Sequence, residues 1–419
     1  MKKNGKKQNI KKDFFWNTLG SGINAFNSLF FLIIVTRLNG VDDAGIFTLA
    51  FSTANLFNII GVYSGRVFQV TDSSKITDND YFFHKIITCI IMLFVSIGFV
   101  LLRDYSLWKS SIILALCLLK TFEAFAEVIY AFFQKEQYLY RVGVSLTLKN
   151  ILSLIAFFIT DVITENVLIS SIALVITYVL VMLFYDIRYL DRSKISFKKI
   201  MPENIMIIFK TGFFTFCLSF FIMYVLNIPR YMIDSNMTDN YSTIFGVLIM
   251  PATVVVLISQ FILHPFLTKI KDTFLTNIEK FGLLIFKLVS IVFGFGVFSV
   301  FISYLIGIPF LEFIYNINLN EYRTSLVIVM CGATLYGIIV MLSNVLITMR
   351  VTFRQIIIYC ISAVVSLILS NKLVLTNGVE GACISYSVVM LITFICFISL
   401  ISFSIYSNYK KGRIISDKN

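Results

Sequence analysis

Three charged residues stand inside an otherwise apolar stretch of the chain: Lys120, Glu123 and Glu127, at spacing i, i+3, i+7. On an α-helix that spacing puts all three on one face. A charge at the centre of a bilayer costs about 3 kcal/mol or more, so such a group faces a partner or a water-filled cavity. One reading makes the face a cavity wall. Lys120 would hold a phosphate, and Glu123, Glu127 or the later Asp186 would take a coupling ion. The other makes it a lock between helices, with Lys120 paired to Glu123 and Glu127 left for another cation. Both stand on sequence alone.

Amides form a second set. Asn17, Gly20, Gly22, Asn24 and Asn27 make a small and polar stripe on one apolar segment, and Asn55 and Asn58 share a face of the next. Small residues let helices approach closely, and amides bond across them. An amide also offers the mixed donors and acceptors that sugar hydroxyls want. Packing and substrate contact explain the stripe equally well. Arg37, Arg66 and Arg230 lie at segment ends. There an arginine either snorkels to the surface or presents its planar fork of donors to a phosphate.

Other apparent signals carry little chemistry. Asp78-Asn79-Asp80 has the form of a metal-holding D-x-D, but it sits in a short loop with no α/β domain around it. Asp234 and Asp239 read as a polar outer loop. His84 and His264 are far apart, and His264-Pro265 reads as a helix end. No Walker-type glycine loop is present. The seven cysteines all fall in apolar runs, without C-x-x-C spacing, and read as small buried hydrophobes. No metal or cofactor is called for.

The elements that must carry these residues follow from composition. Of 419 residues, 58% are hydrophobic and 14% charged, against roughly half and a quarter in soluble domains. A span needs roughly 20 apolar residues. The chain accommodates about twelve spans, at 14–36, 44–64, 82–102, 110–132, 143–160, 167–187, 205–227, 241–266, 281–305, 324–348, 356–375 and 382–406. The predicted fold is an all-α membrane protein with two pseudo-symmetric six-helix bundles around a central cavity. Its expected parts are a basic tail (1–13), an N-terminal bundle (14–187), a basic linker (188–204), a C-terminal bundle (205–406) and a tail (407–419).

With the N-terminus inside, 28 of the 35 Lys and Arg fall on cytoplasmic segments and six on outer ones, with Lys120 within the membrane. This is a strong positive-inside bias. It accounts for the net charge of +12 through anionic membrane lipids, without nucleic acid. Both tails are expected in the cytoplasm, and the protein in the plasma membrane. Lys149 counts here among the cytoplasmic flanks, and Lys210 and Lys287 read as snorkelling anchors.

A family resemblance rests on ordered motifs. Phe15-Trp16-Asn17-Thr18-Leu19-Gly20, Thr36-Arg37-Leu38-Asn39-Gly40 and Ala44-Gly45-Ile46-Phe47 resemble the first two helices of Wzx-type polysaccharide flippases. These belong to the multidrug/oligosaccharidyl-lipid/polysaccharide exporter superfamily. Asn39 departs from the family's R-x-L-G. Gly65-Arg66-Val67-Phe68-Gln69-Val70-Thr71-Asp72 is similar to the segment after span two, and Glu123 to Tyr130 to the fourth helix. Asn227-Ile228-Pro229-Arg230-Tyr231-Met232-Ile233-Asp234 is similar to the element after span seven, and Met250-Pro251 also fits. The motifs cover roughly 14–270.

The resemblance implies a transporter and no catalytic residues. It would move undecaprenyl-diphosphate-linked oligosaccharide units outward by alternating access, for capsule, exopolysaccharide or O-antigen-type synthesis. A polysaccharide polymerase and glycosyltransferases would be its working partners. Arg37, Arg66, Lys120 and Arg230 would meet diphosphate or line the path, with Asn24, Asn55 and Asn58 beside them. The rivals are a multidrug/cation antiporter of the same superfamily, which would need an acidic cavity, and a membrane-embedded polymerase or ligase. The second would need a substantial outer loop, and the longest expected is 306–323.

Overall fold

Apolar stretches that must satisfy their own backbone hydrogen bonds in lipid become helices. The computed structural model is helical throughout, with no strand among the residues it describes, 10–72, 76–190, 195–196, 201–349 and 351–416. Residues 1–9 of the expected tail, and 191–194 and 197–200 of the expected linker 188–204, lie outside them. The chain divides into two compact units, Met1–Phe220 and Phe221–Asn419.

The first unit holds α1 (Ile10–Leu38), α2 (Val41–Val62), the short α3 (Gly65–Thr71), α4 (Asp78–Leu101), α5 (Leu107–Lys135), α6 (Leu139–Thr164) and α7 (Val167–Tyr189). It also takes the first half of α8 (Pro202–Asn236), where the boundary falls. Ile208 joins the core of Tyr81, Val128, Tyr130 and Phe133, and Tyr63 stacks on Phe216 and donates to the Phe209 carbonyl at 2.9 Å. Helix starts are marked by side-chain caps: Thr77 and Asp80 form a capping box on α4, and Ser106 and Asn166 cap α5 and α7.

The second unit holds the rest of α8, then α9 (Asp239–Leu263), the short α10 (Leu267–Thr276), α11 (Ile278–Tyr315) and α12 (Arg323–Thr348). Thr352–Ser416 is broken at Gly378 (φ 56°, ψ −131°) into two helices, α13 and α14. Only glycine adopts that conformation readily. At the corner, a Cβ on Gly381 would run into the Leu373 carbonyl.

Among the described residues, ten helices are long and apolar enough to cross a membrane. α5 is as long as these but carries Lys120, Glu123 and Glu127 within it. The stretch counted as one span to Tyr406 contains the Gly378 break. With these two, the described residues supply twelve spans. Large apolar side chains such as Phe94, Phe184, Phe286 and Phe313 point outward, where lipid accommodates them.

Several local expectations are corrected. Asp78-Asn79-Asp80 is the first turn of α4 rather than a loop. Asp78 pairs with Lys135 at 2.6 Å. Asn79 accepts from the Ser196 amide at 2.8 Å, and Asp80 accepts from Asn204 at 2.8 Å. Carboxylates at a helix start answer the unpaired N–H groups there. Asp234 lies in α8 and Asp239 opens α9, so they are not a loop. The expected outer loop 306–323 is mostly helix, because α11 continues to Tyr315 and Asn316 closes it in the left-handed region. All seven cysteines are free thiols, but only Cys89, Cys117 and Cys383 are buried; Cys217, Cys360 and Cys396 are half-buried and Cys331 is exposed. His264-Pro265 does close a helix, in the short turn His264–Phe266 after α9, and Lys210 and Lys287 are exposed.

Candidate functional site

Glycine brings the walls of the site together. A Cβ on Gly20 would lie 2.5 Å from the Gly143 carbonyl oxygen, and one on Gly143 would meet the backbone of Trp16 and Asn17. α1 and α6 therefore touch backbone to backbone. Above that contact their amides meet: Asn27 Nδ2 donates to Asn150 Oδ1 at 2.9 Å, and Asn150 Nδ2 donates to the Leu146 carbonyl at 2.8 Å. Of the α1 stripe, Gly20 thus packs while Gly22 opens onto free space, and Asn24 and Asn27, but not Asn17, turn to a cavity.

That cavity, about 180 Å³, lies wholly within the first unit. α1 contributes Asn24, Asn27, Ser28 and Phe31; α2 contributes Phe51 and Asn55; α5 contributes Leu119, Lys120 and Glu123. Asn150, Ser153, Leu174 and Tyr178 close it from α6 and α7. Lys120 Nζ sits 2.7 Å from Glu123 Oε2 and 4.8 Å from the centre of the Phe51 ring. The pair is only partly exposed, 11% for Lys120 and 24% for Glu123, so each charge is compensated in place. Both readings of this face therefore apply to the same residues: they line a cavity and they form an internal ion pair.

One turn along α5, Glu127 has a cation of its own. Arg66, at the start of α3, brings Nε to 3.9 Å from Glu127 Oε2. Beside them Lys85 is buried and donates to the Gly61 and Val62 carbonyls at 3.0 and 2.5 Å. These are orphan acceptors at the end of α2, where a cation is favourable. His84 packs between Tyr63 and Phe209.

Behind the cavity lies a network that the charge count misplaced. Lys149, expected at a cytoplasmic flank, is fully buried in α6 and paired with an equally buried Asp186 of α7. Its Nζ also donates to the Tyr130 hydroxyl at 2.9 Å and lies 4.5 Å from the centre of the Tyr178 ring. Tyr130 in turn shares a hydrogen bond with Ser145 at 3.0 Å. The π-helical turn Met182–Asp186 places the carboxylate at this point. A signal existed in the sequence: Ser145, Lys149 and Ser153 recur every four residues, a polar face rather than a span edge.

Of the expected site residues, Asn24, Asn55, Lys120 and Glu123 meet in the cavity. Arg66 and Glu127 form a neighbouring pair, and Asp186 is taken by Lys149. Asn58 is half-buried and does not line the cavity. Arg37 is exposed at the end of α1. Arg230 belongs to the second unit, where it is 7% exposed and lies 5.9 Å from the centre of the Phe245 ring. Among the described residues, no group of three or more His, Cys, Asp or Glu gathers to hold a metal ion.

No family profile matches the chain. It is 29% identical over 418 residues to a Staphylococcus aureus protein named capsular polysaccharide biosynthesis protein CapF, covering 96% of this chain and 99% of that one. Among solved structures, it superposes on an inward-facing multidrug resistance MATE family transporter of the MOP superfamily with a TM-score of 0.75. The identity there is 12%, over 96% of this chain and 99% of the other. The lipid II flippase MurJ in an inward closed conformation gives 0.68 at 15% identity, over 92% of this chain and 87% of MurJ. These likenesses agree with the resemblance drawn from the motifs. The chain is a multi-pass membrane protein that shares the fold of these MATE and MurJ structures.

Proposed function

We propose that the protein is a flippase for undecaprenyl-diphosphate-linked oligosaccharide repeat units, moving them across the plasma membrane for capsule, exopolysaccharide or O-antigen-type synthesis. The observation that carries this reading is an amide-lined cavity inside a membrane bundle. Water-like donors and acceptors buried in lipid are expensive unless a polar cargo uses them. Whole-length likeness to a capsular polysaccharide biosynthesis protein supports it, as does the fold shared with a protein named a lipid II flippase.

In this mechanism the polyprenyl tail stays in lipid while the head group enters a polar path. Asn24, Asn55 and neighbouring amides meet sugar hydroxyls, with Asn58 further along α2. Arg37, Arg66, Lys120 and Arg230 are the cations offered to the diphosphate. The path opens alternately to the two sides. Both termini would face the cytoplasm: with Lys149 buried in α6, the distribution of basic residues is 27 to six and still favours that orientation. An ion gradient would act through Glu123, Glu127 or Asp186, each of which must first leave its basic partner Lys120, Arg66 or Lys149. The same pairings weigh against a cation antiporter, because all three carboxylates already face a cation.

Removing the chain from cells that make it tests the reading. The lipid-linked repeat unit should accumulate on the inner leaflet and surface polysaccharide should fall. Unchanged surface polysaccharide, with no accumulation, would overturn it.

A further inference from the structure

The cavity of the first unit is electrically balanced, and that narrows what it can hold. Its charged lining residues are Lys120 and Glu123, 2.7 Å apart. A diphosphate brings several negative charges. To reach Lys120 it must lie beside the Glu123 carboxylate or drive that carboxylate off its partner, leaving a charge unpaired in a water-poor site. An acidic sugar meets the same obstacle. An uncharged sugar does not.

The remaining lining suits such a sugar. Asn24, Asn55 and Asn150 offer both donors and acceptors. Among the described residues, Asn27 Oδ1 is buried without a hydrogen-bond partner, an acceptor whose desolvation they do not repay. Phe31 and Tyr178 add aromatic surface for the apolar C–H face of a ring. The cavity, about 180 Å³, admits one pyranose rather than a whole oligosaccharide, and Asn24 is exposed at its edge, where the rest of a chain can leave.

We infer that this cavity is a subsite for one uncharged pyranose of the glycan head group, and that the diphosphate is held elsewhere. The inference rests on the flippase reading. It reassigns Lys120 from a phosphate ligand to half of a neutral pair that shapes a sugar site. The Lys120–Glu123 pair then acts as an electrostatic filter, since it presents no net charge to a neutral ring and a carboxylate to an anion.

The test uses the full chain in lipid nanodiscs and saturation-transfer NMR with glucose, galactose and N-acetylglucosamine. Glucuronate and inorganic pyrophosphate serve as anionic probes. At least one uncharged sugar should receive transfer that excess pyrophosphate leaves unchanged. Asn55→Leu should cut that signal at least about fivefold, the worth of one or two hydrogen bonds. Asn55→Ser, a smaller change, should reduce it in the same direction and guards against a folding failure. In the Lys120→Gln/Glu123→Gln double variant discrimination against glucuronate should relax, and unchanged exclusion of glucuronate would overturn the filter. Displacement of the sugar by pyrophosphate, or stronger transfer to glucuronate, would overturn the subsite. So would the absence of any Asn55-dependent signal from the three sugars. Normal transport of the lipid-linked unit without a sugar signal sinks the subsite alone. A sugar signal in a chain that transports nothing sinks the flippase reading instead.

Discussion

The two units bury different kinds of polar contact. In the first, Lys120–Glu123 and Lys149–Asp186 are charged pairs set among amides and tyrosines. In the second, helices are joined through neutral groups: Ser343 to Gln355 at 2.6 Å, Ser362 to Thr393 at 2.7 Å, and Ser370 to Ser385 at 3.0 Å. Hydroxyl contacts of this kind are weak and interchangeable in membranes, about 0.6 kcal/mol each on average. A buried charge pair is neither. Its energy is committed to one geometry, and breaking one side leaves the other stranded. The first unit thus commits buried charge to fixed pairs, while the second adds light polar stitching to its packing and buries Arg230 against Phe245.

The sharpest way to break the contrast is at Lys149. Lys149→Met or Asp186→Leu alone should destabilise the protein by about 3–5 kcal/mol, because the partner charge stays fully buried. The Lys149→Met/Asp186→Leu double variant should recover most of that loss. Thermal unfolding in detergent reads both, and single variants as stable as the parent would show that the pair is not committed. Next comes the seam that sets the cavity wall. Gly143→Ala places a methyl against the Trp16 and Asn17 backbone and should cost about 1–3 kcal/mol by overpacking. Transport should fall with stability, and an unchanged melting temperature would remove the close α1–α6 approach from the account.

Lys120→Glu puts two carboxylates together in the cavity and should cut transport at least about tenfold, with the protein still inserted. Normal transport by that variant would remove the pair from the mechanism. In the second unit, Ser362→Ala should cost only about 0.6 kcal/mol and leave transport unchanged. A loss as large as that at Lys149 would erase the difference between the units.

What the sequence could and could not reveal follows from the range of each interaction. Spans are legible because lipid demands a continuous apolar run, and the break between α13 and α14 falls near the expected one, at Gly378. The α5 face is legible because i, i+3, i+7 is a local spacing, and the Lys120–Glu123 pair is contained within it. Partners distant in the chain are not legible. Glu127 needed a cation, but only the fold supplies Arg66. Lys149 sits near a span edge, where a snorkelling lysine and a paired one look alike until Asp186 is placed beside it. Asn24 and Gly20 share one stripe, yet one faces the cavity and the other packs, a distinction set by Gly143 on a different helix. The short helices α3 and α10 carry too few apolar residues to be recognised as elements by span length.

The proposed activity is movement of a lipid-linked glycan between leaflets. The direct measurement is translocation in proteoliposomes loaded with the cognate lipid-linked repeat unit, read by accessibility of the glycan to an impermeant enzyme, with a cationic drug as parallel substrate. The glycan should become accessible from the opposite side in a protein-dependent way, and the drug should not accumulate. A glycan that stays on its original leaflet under imposed proton and sodium gradients alike, or a drug that moves in its place, would contradict the account.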